Sequence, residues 1–171
     1  RGRFGTVGLD AHDLRRWHGL APTVVVPSFT EATEATGPLP ERGAWPEAAD
    51  NRARAAYGYA AHLLDLTGAR TVAVTLDRDG VVTVGRDGQR YRTRARPAPP
   101  SHTVGAGDTY LAAAALGYAA GGTLPEVAEL AQRAAQLAVT GAGTCVCDRE
   151  RLRQDLADAA GPVPPDPGEV T

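Results

Sequence analysis

Thr103-Val104-Gly105-Ala106-Gly107-Asp108-Thr109 is the stretch of this 171-residue chain that decides the fold. It is a small-residue turn with a carboxylate, and it opens a segment from Tyr110 to Ala120 that is rich in strong helix formers and contains no Pro. We therefore predict a helix from about Gly107 onward. The backbone N–H groups of Gly105, Ala106 and Gly107 would be unpaired at its start, where the helix dipole favours a phosphate and glycines let a ligand approach the backbone.

The same motif also allows a purely structural interpretation. Gly105 and Gly107 would then only shape a loop, and Asp108 would help to cap the following helix. In the functional interpretation, Asp108 lies in the first helical turn and faces the phosphate, where it can act as a general base. The motif alone leaves both interpretations open.

The surroundings of the motif predict alternating strands and helices. A short apolar run indicates a strand at Thr6–Leu9, and a β-branched run indicates one at Thr23–Val26. Segments separated by the turns at Asp77–Gly80 and Arg86–Gly88 indicate three more strands, at Val72–Leu76, Val81–Val84 and Tyr91–Arg94. Apolar residues at helical spacing indicate helices at Ala11–Trp17, Pro46–Leu66, Leu124–Val139 and Arg149–Ala159. This order predicts a right-handed βαβ array that binds ligands beyond the carboxyl ends of its strands. Three acidic residues come just after strands or lie in turns, and we expect them at that edge: Glu31, Asp77 and Asp108. Asp10 comes at the end of the first predicted strand.

The segment from Ser28 to Glu31 follows the Thr23–Val26 strand directly. A Ser followed three residues later by Glu is the spacing of a capping box, which is the structural interpretation of this segment. A functional interpretation depends on the resemblance described next.

On these motifs the chain resembles the C-terminal part of the ribokinase-like (PfkB) carbohydrate kinases, over roughly residues 6–157. The signature of that family is an Asp-Thr-x-Gly-Ala-Gly-Asp loop followed by a Thr and a small-residue helix. Within the family the chain is similar to the heptose-7-phosphate kinases in Val74-Thr75-Leu76 before the Gly80 turn, in the Gly105–Thr109 core, in Ala131–Ala135 and in Gly141–Thr144. The resemblance implies an α/β fold, a ribokinase-like three-layer αβα sandwich with a mostly parallel sheet.

The resemblance also implies an activity and a set of site residues. The activity is ATP-dependent transfer of the γ-phosphate to a hydroxyl of a sugar or sugar phosphate, with heptose 7-phosphate as a candidate acceptor. Asp108 would be the general base, and the backbone of Gly105, Ala106 and Gly107 the anion hole. Mg²⁺ would be held by Glu31 through water, and a monovalent cation is a further candidate cofactor. The implied nucleotide-binding residues are Ser28, Phe29, Thr30, Glu31, Thr75, Asp77, Gly80 and Gln132.

Three positions depart from the family pattern. Ser28 stands where the family has Asn, Asp77 where it usually has Gly, and His102 where the signature has its first Asp. We expect Asp77 to point to solvent, as aspartates in turns usually do. A His at position 102 can replace the acid only if it is neutral and rotated to accept a hydrogen bond, and otherwise it is a plain loop residue.

Other polar residues have structural interpretations. Gln132 falls where the family has an Asn near the adenine, but it can equally be an ordinary helix residue. His12, His18 and His62 show no partner pattern and are expected at the surface. Cys145 and Cys147 have no matching ligand pair elsewhere, so a buried pair on a strand is expected rather than a zinc site.

Composition limits the partners. A net charge of −2 and 43% hydrophobic residues indicate a globular core and no basic surface for nucleic acid. The arginines between Arg90 and Arg96 alternate with other residues, which fits the exposed face of an edge strand. The chain has no apolar run of transmembrane length and no signal-peptide pattern at its start. We therefore expect a cytoplasmic location, with no nucleic-acid or membrane partner.

The chain contains no Met, so we expect a piece of a longer protein or a processed chain. The resemblance assigns residues 1–160 to the C-terminal part of a kinase domain and residues 161–171 to a Pro-rich tail or linker. A second chain or a missing N-terminal half would then supply the sugar contacts.

Three functions stay open at this point. The chain can be part of a sugar kinase, a non-catalytic nucleotide-binding subunit or degenerate kinase remnant, or an unrelated α/β binding module. A structure without a nucleotide cleft beside Asp108 would favour the third.

Overall fold

A central sheet organises the computed structural model, which describes residues 3–37, 51–96, 105–139 and 146–159. In these residues the sheet has five strands, adjacent in chain order. Strands β1, β2 and β3 pair in parallel, whereas β3 with β4 and β4 with β5 pair antiparallel, so four of the five strands run in one direction. The strands are β1 (Gly8–Leu9), β2 (Val24–Val25), β3 (Thr71–Thr75), β4 (Val81–Gly85) and β5 (Arg90–Thr93).

Helices cover both faces of the sheet. Successive strand residues point to opposite faces, and the core accordingly has two parts. Val25, Val72 and Val74 pack with the helices α1 and α2, while Val24 and Ala73 pack with α3 and α4. The α/β fold and its three αβα layers are therefore confirmed. The helices are α1 (Phe29–Thr36), α2 (Asn51–Thr67), α3 (Ala106–Ala119), α4 (Leu124–Ala138) and α5 (Arg149–Ala159).

The strand and helix positions predicted from sequence are confirmed within a few residues, with three exceptions. The predicted helix at Ala11–Trp17 is only a short 3₁₀ turn, Leu14–Trp17, because the Asp13 side chain accepts the Arg15 N–H and starts the turn there. The first part of the predicted Pro46–Leu66 helix lies outside the described residues. The buried cysteine pair is wrong for Cys147, which is half-buried outside any strand, and Cys145 lies outside the described residues.

The turn between β3 and β4 is very tight. A short 3₁₀ turn, Asp77–Asp79, is followed by Gly80 at φ +90°, and the Leu76 N–H donates to the Gly80 carbonyl at 2.8 Å. A Cβ at Gly80 would collide with the carbonyl oxygen of Thr93 and lie 2.8 Å from Cα of Arg94. The turn therefore requires glycine for two reasons, its positive φ and the closeness of the β5 backbone.

We predict that Gly80→Ala lowers the free energy of unfolding by about 2–5 kcal/mol, because backbone strain and a backbone clash add. Gly88→Ala is the matched control. Gly88 has nearly the same φ of +87°, but a Cβ there meets nothing within 4 Å, so only the strain of about 1–2 kcal/mol is expected. Urea unfolding of both variants measures the difference. Equal losses would show that the β5 backbone does not constrain position 80.

Candidate functional site

The carboxyl ends of β1, β2 and β3 lie at one edge of the sheet, because these strands are parallel. The chain leaves each strand toward a polar segment. Asp10 follows β1, Ser28 follows β2 by way of Pro27, and Asp77 follows β3. A parallel bridge between Ser28 and Thr75 holds two of these exits side by side. Sequence analysis expected ligands at this edge.

The start of α3 presents backbone donors without a side-chain cap. Gly105 is its N-cap at φ +84°, and within the described residues no side-chain cap bonds the first turn. The backbone N–H and the hydroxyl of Thr109 both donate to the Gly105 carbonyl, at 3.0 and 2.8 Å. An α-helix leaves its first N–H groups without partners inside the helix, so these groups can donate hydrogen bonds to an anion here.

Gly107 has no steric reason to be glycine. Its φ is not positive, and a Cβ built there meets nothing within 4 Å. As far as the described residues show, the space in front of this backbone is open, and glycine leaves it accessible to a ligand. This is the arrangement that a phosphate group requires for close approach to main-chain N–H groups.

A cleft of about 760 Å³ begins at this helix end and continues along the sheet edge. Its volume lies within the range of small-molecule and cofactor sites. The cleft brings together four of the predicted nucleotide-binding residues, Thr75, Asp77, Gly80 and Gln132, with Ala106 and Gly107 of the predicted anion hole. The rest of the lining consists of apolar and aromatic side chains, three arginines and a second glutamine: Val81, Ala95, Tyr110, Ala135, Val139, Arg52, Arg78, Arg96 and Gln136.

Gln132 is one wall of the cleft. It is 9% exposed, and its side-chain oxygen accepts the Thr93 hydroxyl at 2.9 Å. This bond joins α4 to β5 and fixes which end of the amide is engaged. Gln132 is thus more than a surface helix residue. Its side-chain NH₂ group can donate a hydrogen bond to a ligand.

Asp77 is exposed but does not simply point to solvent. Its carboxylate accepts from Nη2 of Arg52 at 2.8 Å. Because the two residues are 25 positions apart and the intervening segment includes part of α2, this partner could not be read from the turn itself. The Asp77 side chain is 75% exposed, in keeping with the expectation for a turn residue, and it also forms an ion pair with Arg52.

The segment after β2 forms the predicted capping box. The Glu31 N–H donates to Oγ of Ser28, while the Ser28 N–H and hydroxyl donate to Oε2 of Glu31 at 2.8 and 2.9 Å. Ser28, Phe29, Thr30 and Glu31 do not line the cleft but lie beside it, joined through the Ser28 bridge to Thr75. Thr30 is exposed, and the ring of Phe29 packs edge-on against Tyr59 with centroids 5.6 Å apart.

His12 has a partner that sequence analysis did not foresee. Its ring is fully exposed, as expected, yet Nδ1 lies 2.7 Å from Oε1 of Glu31. Burial opposes ionisation of the Glu31 carboxyl, but hydrogen bonds from Ser28 and His12 outweigh it and lower its pKa. Glu31 is therefore an ionised carboxylate at neutral pH.

Asp10 extends the site beyond the predicted residues. Desolvation raises the pKa of Asp10, and repulsion by Glu31 and Asp108 raises it further, while His12 acts in the opposite direction. Asp10 is therefore near enough to both Glu31 and Asp108 to sense their charges. The signal in the sequence was an acid directly after a strand, but its proximity to Asp108 depends on how α3 packs on β1.

The acidic corner of Asp10, Glu31 and Asp108 does not form a ready metal cage. Among the residues that the structure describes, no group of three His, Cys, Asp or Glu side chains is arranged to hold a metal ion. Both oxygens of Glu31 already accept hydrogen bonds within the chain. The arrangement is compatible with a hydrated cation contacted through water, and the close carboxylates would favour one. His102 lies outside the described residues.

The sequence matches the profile of the pfkB family of carbohydrate kinases over residues 11–151. Among curated proteins it is similar to the bifunctional protein HldE of Paramagnetospirillum magneticum, with 37% identity over 78% of this chain and 26% of that protein. The bifunctional protein HldE of Caulobacter vibrioides is 31% identical over 94% of this chain and 30% of that protein. The chain thus spans less than a third of the length of these relatives.

Solved structures show the same fold. Phosphofructokinase-2 from Escherichia coli in complex with substrates and products superposes with a TM-score of 0.64 at 22% identity, over 82% of this chain and 42% of that one. Ribokinase of Arabidopsis thaliana complexed with ribose and ATP superposes with a TM-score of 0.60 at 26% identity, over 78% and 40% of the two chains. In the described part of this chain, no helix is both long and apolar enough to cross a membrane.

Proposed function

The chain belongs to the pfkB family of carbohydrate kinases, and we propose that it forms the nucleotide-binding and catalytic part of an ATP-dependent sugar kinase. One observation carries the proposal: a single cleft joins the uncapped start of α3 to four residues selected from sequence as nucleotide contacts. An unrelated binding module would have no reason to combine these features.

The cleft is suited to a nucleotide in two ways. Apolar residues such as Val139 and Ala135 line it together with the amide of Gln132, a combination that suits a purine base. At the other side, the N–H groups of Ala106 and Gly107 suit a phosphate. Thr75 and Gly80 border the space between. This orientation of ATP places its terminal phosphates toward the acidic corner that contains Asp108.

The proposed reaction is transfer of the γ-phosphoryl group to an alcohol. The hydroxyl oxygen of the acceptor forms a bond to the γ-phosphorus, while the bond from that phosphorus to the bridging oxygen breaks and ADP leaves. Asp108 accepts the hydroxyl proton, and the Gly105–Gly107 backbone stabilises charge on the phosphoryl oxygens. Phosphoryl transfer needs little else besides positioning and charge neutralisation.

Mg²⁺ would supply the charge neutralisation. Glu31 is the residue proposed to hold it through water, because the carboxylate is ionised and its charge acts on Asp10, which also senses Asp108. A cation there would relieve the repulsion among the three acids. A monovalent cation near the Gly105 loop stays part of the proposal as a second ion.

The acceptor is proposed to be a sugar or sugar phosphate, with heptose 7-phosphate as the candidate. Residues shared with heptose-7-phosphate kinases, Val74-Thr75-Leu76 and Ala131–Ala135, support that choice. Residues 1–160 would be the C-terminal part of the kinase domain, followed by a tail or linker. The sugar contacts would come from an N-terminal half or second chain, and the protein would act in the cytoplasm without nucleic-acid or membrane partners.

We predict that Asp108→Asn lowers kcat by about two to four orders of magnitude with little change in ATP affinity, since it removes the proton acceptor and leaves the cleft intact. The assay uses the whole protein in which this chain occurs, with Mg²⁺, ATP and a panel of sugar phosphates. Asp65→Asn, an exposed change on α2, is the control and should retain full activity. Turnover by Asp108→Asn near the wild-type rate would remove Asp108 from the catalytic role.

Two capping boxes allow the metal role of Glu31 to be separated from its structural role. Glu126 caps α4 through Thr123 with the same hydrogen bonds that Glu31 makes to Ser28, at 2.8 and 2.7 Å. Gln is also accepted in a capping box, so Glu31→Gln and Glu126→Gln should each cost about 1 kcal/mol of stability or less.

Only Glu31→Gln should raise the magnesium concentration required for half-maximal activity, because Glu31 belongs to the acidic corner around Asp10 and Glu126 does not. Thermal unfolding and magnesium titration of both variants provide the test. If the two variants keep the same magnesium requirement, Glu31 is a helix cap and no more.

A further inference from the structure

Asp77 is an unusual residue for its position in the cleft. Its φ of +55° lies in the left-handed region, where a non-glycine residue is uncommon and Asn and Asp are the best tolerated. The carboxylate belongs to the lining of the cleft that would receive a polyphosphate. A negative charge there repels the phosphates unless a neighbouring group neutralises it.

Arg52 is that neighbour. Its Nη2 donates to Asp77 at 2.8 Å, its Nη1 donates to the Leu76 carbonyl at 3.3 Å, and the same Nη1 lies 3.8 Å from the carboxylate of Asp79. The guanidinium is half-buried and itself lines the cleft. Arg52 and Asp77 are therefore paired with each other and line the same cleft.

Aromatic stacking fixes the position of Arg52. The guanidinium carbon lies 4.9 Å from the centroid of the Phe29 ring, and Tyr59 packs against the edge of that ring. Phe29 opens α1 after β2, whereas Leu76 and Asp77 follow β3. One side chain from α2 thus connects the two polypeptide segments that border the proposed nucleotide site, with a planar group that Lys cannot replace.

We propose that Arg52 is a positioning residue for nucleotide affinity, which neutralises Asp77 and so allows a polyphosphate to bind beside that acid. The proposal rests on the proposed function, because the ligand is taken to be ATP. This role differs from a contribution to stability alone. It predicts that Asp77→Asn restores the ATP affinity that Arg52→Gln lowers.

The test measures binding by isothermal titration calorimetry with two probes, ATP with Mg²⁺ and uncharged adenosine. The protein is the whole polypeptide in which this chain occurs. The variants are Arg52→Gln, Asp77→Asn and the double variant, with Arg54→Gln as the control. Arg54 is an exposed residue of the same helix outside the cleft lining, so its loss changes the net charge equally. Asn at position 77 keeps the left-handed backbone accessible.

Arg52→Gln should weaken ATP binding about tenfold, since it removes the positive charge that offsets Asp77 in the cleft, and should leave adenosine binding unchanged. Asp77→Asn should strengthen ATP binding by about threefold. The double variant should bind ATP almost as the wild type does. Arg54→Gln should change ATP affinity only by the small amount expected from the altered net charge.

Two results would overturn the inference. One is a double variant as weak for ATP as Arg52→Gln, and the other is an equal loss of adenosine and ATP binding. If Arg52→Gln does not fold, Asp77→Asn alone decides, because unchanged or weaker ATP binding by that variant contradicts the charge argument. If the wild-type protein binds adenosine but not ATP, or binds neither, the proposed function is overturned as well. If it binds ATP and Arg52→Gln does not change the affinity, only this inference is overturned.

Discussion

The unpaired N–H groups at the start of α3 are the feature on which the rest of the site depends. A helix end without a side-chain cap is ordinarily unfavourable, and among the described residues nothing caps this end or crowds Gly105. Such an end becomes favourable when an anion occupies it, through both the individual N–H groups and the helix dipole. Other parts of the fold can be understood as means of holding this helix end at the edge of the sheet.

The packing of α3 explains how its position is maintained. Tyr110, Ala114 and Tyr118 are buried against one face of the sheet. Gly8 of β1 lies so near Leu111 that a Cβ there would come within 2.9 Å of its side chain, which shows how closely the helix approaches the strand. Because Asp10 directly follows β1, this approach also brings Asp10 near Asp108. The acidic corner is therefore a consequence of close helix–sheet packing as well as of the residues themselves.

Local features were predictable from the sequence because short-range chemistry determines them. The capping box at Ser28, the Gly80 turn and the helix after the Gly-Ala-Gly motif each depend on residues within a few positions of one another. The alternation of Val72, Ala73 and Val74 between the two core faces also follows from strand geometry. These features were enough to indicate the fold and the edge at which ligands would bind.

Contacts between distant segments were not predictable in the same way. The Arg52–Asp77 pair, the His12–Glu31 contact and the proximity of Asp10 to Asp108 depend on tertiary packing. No local sequence pattern indicates these contacts, because an exposed Asp in a turn and an exposed His in a loop usually have no partner. The wrong expectation for Cys147 has a similar origin, since short spacing suggested a strand where the chain only leads into α5.

The most direct test of the central claim is an NMR titration of backbone amides with ATP and, separately, with adenosine. The account predicts that ATP shifts the amides of Ala106, Gly107 and Asp108 together with those of Thr75 and Gln132. Adenosine, which has no phosphate, should shift Gln132 but leave Ala106 and Gly107 unchanged. Binding of ATP that leaves the amides at the start of α3 unperturbed would contradict the claim that this helix end is the phosphate site.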